Sequence, residues 1–170
     1  MDAAIKEVAD GLRAAMQAER IGYEFYKMAA RSTSDPAGKA TFEQLAREEQ
    51  EHFDFLRKHY RSLIDNGSLA DGVTLGDHPP LTGDSPIFGP SLRERIKTAH
   101  FEMSALAIAA QLELNGLQHY REQARKAPLP QARKFFEELA AWESSHYEAM
   151  LRQQQLLQDE YWSEAGFDPF

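Results

Sequence analysis

Apolar residues recur at three- and four-residue steps through most of the chain, the spacing of amphipathic helices. Ile5, Val8, Leu12, Ala15, Met16, Tyr23 and Tyr26 form one such stripe and predict a helix over about 2–31. Ser32-Thr33-Ser34-Asp35-Pro36 reads as a turn and a helix start, with Asp35 as cap and Pro36 in the first helical position. Phe42, Leu45, His52, Phe55, Leu56 and Leu63 carry a second helix over about 36–65, which Asn66-Gly67 ends. Residues 66–90 break the pattern with five glycines and four prolines and predict an irregular connection. A third helix is expected over about 91–126, with Ser91 and Glu94 as a capping box. After the short turn Ala127-Pro128-Leu129-Pro130, a fourth is expected over about 130–161, followed by an aromatic tail, 162–170, that includes Trp162, Phe167 and Phe170.

Four long helices arranged as two hairpins need one long connection. A helix of about 28 residues is roughly 40 Å long, and some twenty residues of loop span that distance. The expected architecture is therefore all-α: a four-helix bundle in a single domain over 1–170, its two hairpins joined by a crossover loop at 66–90.

The hairpins repeat each other. Displaced by 94 positions, Ala15 to His52 aligns with Ala109 to His146 without a gap, and 14 of the 38 positions are identical. That excess over chance marks an internal repeat. Its most specific part is Phe42-Glu43-x-Leu45-Ala46-x-x-Glu49-x-x-His52, matched by Phe136-Glu137-x-Leu139-Ala140-x-x-Glu143-x-x-His146. Residues three apart share a helix face, so each glutamate and its histidine point the same way. The repeat adds Glu19 and Glu113, each 30 residues before its Glu-x-x-His. Taking Ser34 and Pro128 as turn centres, Glu19, Glu49, Glu113 and Glu143 each lie 15 residues from a turn. Equal rise per residue then puts all four glutamates and both histidines at mid-bundle. Carboxylates with imidazoles suit iron, manganese or zinc, and buried carboxylates without a cation would be costly.

Composition narrows the partners. A net charge of -8 argues against nucleic acid or an anionic membrane. The absence of cysteine excludes disulfides, iron–sulfur clusters and thiol catalysis. With no apolar run of membrane-spanning length and no signal-like N-terminus, a cytoplasmic protein is expected.

The residues of both hairpins resemble the ferritin-like di-iron carboxylate superfamily, most closely its rubrerythrin-like branch. The resemblance implies two iron ions, with manganese or zinc as alternatives, held by Glu19, Glu49, His52, Glu113, Glu143 and His146, Glu49 and Glu143 bridging. Two features depart from the family. No four-cysteine rubredoxin segment is present, and Ala110 stands where an additional glutamate is expected one turn before Glu113. The resemblance implies an oxidoreductase that reduces hydrogen peroxide or oxygen with electrons from an external donor. A ferritin-type ferroxidase is the alternative enzyme, and a metal-free helical scaffold the alternative of another class.

Tyr26 and Tyr120 each stand seven residues beyond Glu19 or Glu113. Core packing is one reading of them; the other is a hydroxyl that orients a ligand carboxylate or passes an electron. Glu48, four residues before His52, competes with Glu49, but its repeat counterpart is Trp142, so Glu49 is preferred. His59 has Gln153 as its repeat counterpart, His78 lies in the crossover loop, and His100 and His119 lack a paired carboxylate, so all four are read as non-ligands. The aromatic tail leads to the expectation of a homodimer or larger assembly.

Overall fold

In a computed structural model, residues 2–73, 75, 86–94 and 99–166 are described. Helix α1 spans Ala3–Ser32, α2 Pro36–Asn66, the short α3 Pro90–Arg93, α4 His100–Lys126 and α5 Pro130–Ala165. The described residues contain no strand, and no helix among them is long and apolar enough to cross a membrane. α1 packs along α2 and α4 along α5, and the two hairpins meet through α1 and α4. The molecule is thus an all-α four-helix bundle built from two hairpins.

The helix ends follow local chemistry. Asp35 accepts from Gly38 N at 2.8 Å, with Pro36 behind it, which satisfies one of the orphan donors of the first turn. Gly67 closes α2 with φ 74°, a conformation glycine adopts without steric cost. The same Asp35 also receives Gly89 N on both oxygens, at 3.1 and 3.0 Å. Ile87 N donates to Gln153 at 2.9 Å, and Phe88 is buried against Phe42. The connection therefore leaves α2 at Gly67 and is tied down again beside Asp35, at the opposite end of a 31-residue helix. That is the lengthwise crossover the two-hairpin arrangement requires.

Three boundaries differ from the sequence pattern. The third helix is not continuous from residue 91: α4 begins at His100, and residues 95–98 lie outside the described residues. Ser91 and Glu94 do not hold the first and fourth positions of a capping box, because Gly89 is the N-cap of α3 and Glu94 closes it. The last helix runs on to Ala165, since no glycine or proline interrupts it between Pro130 and Gly166. Trp162 is therefore helical and exposed rather than tail; Phe167, Phe170 and residues 76–85 of the crossover lie outside the described residues.

The core falls into two clusters. One gathers Tyr26, Phe42, Leu45, Phe88, Leu92 and Leu106 toward the α1–α2 turn. The other gathers Leu12, Leu56, Leu63, Leu117, Tyr120 and Phe136 toward the opposite end. Each large side chain so buried contributes about 1.5–3 kcal/mol, so packing on both sides secures the polar layer between them.

Candidate metal centre

Glu19 on α1, Glu49 and His52 on α2, Glu113 on α4, and Glu143 and His146 on α5 converge in that layer, none more than 5% exposed. Glu19, Glu49 and His52 present donor atoms all within 4.8 Å of one another, and so do Glu49, Glu113 and His146. Glu49 is common to both triplets. Glu143 sits beside them, Oε1 3.8 Å from His52 Nδ1. His52 Nδ1 lies 3.2 Å from Glu19 Oε2 and His146 Nδ1 3.5 Å from Glu113 Oε2. The two imidazoles are nearly parallel, ring centres 6.1 Å apart.

The tyrosines tie the hairpins together. Tyr26 on α1 donates to Glu113 on α4, and Tyr120 on α4 donates to Glu19 on α1. Each phenol thus orients the carboxylate of the other hairpin rather than the one seven residues before it. Gly22 and Gly116 make room for the layer: a Cβ at Gly22 would fall 2.7 Å from Glu49 Oε2, and one at Gly116 3.2 Å from Glu143 Oε2. A cavity of about 130 Å³ reaches Glu19, Glu49, Glu113 and Glu143 between α1 and α4, past Ile21 and Leu112. A larger groove of about 890 Å³ over Arg121, Arg133 and Glu148 touches none of the six.

Charge in this layer is unbalanced by the protein alone. Burial, then the neighbouring carboxylates, push Glu49 and Glu143 well above the usual carboxyl range. Burial also pushes Glu19 and Glu113 up, but the adjacent imidazoles and the hydrogen bonds they receive outweigh it and leave both lowered. Burial would lower His146, yet Glu113 and Glu48 beside it raise it to about 10. Burial and carboxylates raise both phenols, so each keeps its proton. Glu113 Oε2 and His146 Nδ1 face each other without a hydrogen bond. A carboxylate and an imidazole buried face to face without a hydrogen bond, and carboxyls that hold protons for want of a cation, fit a metal.

One measurement follows from the sign of these shifts. Glu49 and Glu143 are raised, so they hold protons further up the pH scale than ordinary carboxyls, and a cation must displace them. Metal uptake should therefore release protons, and apparent affinity should rise with pH. Calorimetry in two buffers of different ionisation enthalpy measures the release; a heat independent of buffer would reject the displacement.

The remaining histidines are placed elsewhere. His59 is buried between Phe55 and Phe135. His119 meets the Gly11 carbonyl at 3.2 Å, His100 is exposed at the start of α4, and His78 lies outside the described residues. Glu48 is more than a rejected ligand. It is 3% exposed, with Oε2 3.3 Å from His146 Nε2. Only the pairing of α2 with α5 reveals that contact; the sole sequence signal is an acidic residue beside Glu49.

The Rubrerythrin family model matches residues 3–68, which are α1, α2 and the cap that follows. Comparisons with curated proteins and with solved structures returned no match. The match identifies the first hairpin as similar to the rubrerythrin-like branch of the ferritin-like di-iron proteins. The carboxylate and imidazole groups are of a kind that can hold metal.

Proposed function

From a rubrerythrin-like first hairpin and a second that duplicates its Glu-x-x-His, we propose that the chain is a di-iron oxidoreductase. It would reduce hydrogen peroxide or oxygen with electrons from a separate donor. Glu19, Glu49, His52, Glu113, Glu143 and His146 would hold the metals. The observation that carries this reading is the pair of donor triplets sharing Glu49. When bound there, two ferrous ions supply the two electrons that a peroxide bond needs. The chain's own residues do the rest. Tyr26 and Tyr120 hold Glu113 and Glu19 in place. The flanking apolar clusters exclude bulk water, and the cavity of about 130 Å³ admits a small oxidant.

Ala110, 6% exposed where a further glutamate is expected, favours a second reading in which ferrous iron is itself the substrate. One experiment separates the two. The protein is loaded anaerobically with two ferrous equivalents per chain and mixed separately with peroxide and with oxygen. Fast oxidation by peroxide, repeatable after re-reduction with the iron retained, supports the oxidoreductase. Oxidation of a large iron excess into a retained mineral makes the protein a ferroxidase.

A further inference from the structure

The internal repeat pairs every candidate ligand with an identical residue: Glu19 with Glu113, Glu49 with Glu143, His52 with His146. Tyr26 and Tyr120, and Gly22 and Gly116, are matched too. Beside the imidazoles, the repeat pairs two unlike residues, Glu48 and Trp142. On one side, Glu48 Oε2 lies 3.3 Å from His146 Nε2, and its other oxygen accepts from Gln44 Nε2 at 2.8 Å. With Glu48 on Nε2, Nδ1 on the Glu113 side is the nitrogen that would meet a metal once its proton is displaced. The Trp142 ring meets both imidazoles edge-on, centres 5.4 Å from His52 and 5.7 Å from His146, so what separates the two is the outer nitrogen: His52 Nε2 is buried without a hydrogen-bond partner.

Resting on the metal-binding reading above, we infer that Glu48 is a positioning residue that makes the two metal positions unequal. The His146 position, with Glu113, fills first and tightly. The His52 position, with Glu19, fills second and exchanges readily. The physical reason is that a carboxylate on the outer nitrogen fixes an imidazole's tautomer and orientation. An indole edge does neither for His52, whose outer nitrogen must be buried unsatisfied whichever tautomer it adopts. A chain built from two copies of one hairpin would otherwise offer two near-equivalent positions.

Titrating the metal-free protein with cobalt(II) alone, at fixed pH, tests this through the visible spectrum and the heat of binding. Two resolved steps at least about tenfold apart are expected. Glu48→Gln should weaken the first step about tenfold or more and leave the second in place. Single His146→Ala and His52→Ala variants assign the steps: the first should remove the tight step, the second only the weak one. Two equal steps in the unmodified protein, or a Glu48→Gln effect shared by both, would overturn the inequivalence while leaving the metal centre standing. Failure of the unmodified protein to bind cobalt(II) would overturn the centre and the inequivalence with it.

Discussion

Replacing His52 and His146 together with alanine should abolish metal retention while leaving the bundle helical. The loss is larger than that of two donors. Glu19 and Glu113 are held below their ordinary range against a burial effect that pushes upward, and the imidazoles are among the groups that hold them there. Without His52 and His146 that opposing contribution is lost, and protons compete more strongly with the metal at Glu19 and Glu113. The fold tolerates this because its apolar clusters lie on either side of the layer, from Phe42 and Leu106 at one end to Leu12 and Phe136 at the other. Metal analysis after dialysis, beside far-ultraviolet circular dichroism, reads both effects. Unchanged metal content in a helical double variant would reject the assignment of these ligands.

Much of this architecture is legible in the sequence because its signals are local. Asp35-Pro36 and Asn66-Gly67 state where α2 begins and ends in terms of single-residue backbone chemistry. The repeat states which face of each helix is polar at mid-bundle, and equal distances from the turns bring those faces to one height. What sequence spacing cannot state is which side chain lies across the interface. Tyr26 is in register with Glu19 on its own helix, yet its hydroxyl meets Glu113 of the other hairpin. Glu48 reads as a surplus acid next to Glu49, and only the contact between α2 and α5 gives it a partner in His146. The beginning of α4 at His100 is likewise hidden, because the helical pattern runs on from residue 91 without a proline or glycine to interrupt it.

Gly22→Ala should shift stability and metal affinity in opposite directions. Glycine inside a helix costs about 0.5–1 kcal/mol relative to alanine, since it loses more backbone freedom on folding. Gly22 lies well inside α1, so the metal-free variant regains that amount less the cost of moving what the new methyl meets. It meets the carboxylate of Glu49, 2.7 Å from Oε2 and 3.0 Å from Cδ. That is the far end of a rotatable side chain, which can swing aside cheaply, so the metal-free protein should melt at the same temperature or slightly higher. With metal held at both triplets, Glu49 would have no such freedom. Glu49 is the one residue common to both donor triplets, so displacing it disturbs both positions at once, and affinity should fall about tenfold or more at each. Gly116→Ala is the internal control: its Cβ would lie 3.2 Å from Glu143 Oε2, a looser approach to a carboxylate outside the two triplets, and its effect on affinity should be smaller. Thermal unfolding with and without cobalt(II) measures both quantities in each variant. Equal cobalt(II) affinity in Gly22→Ala and the unmodified protein would mean that Glu49 is not a shared ligand.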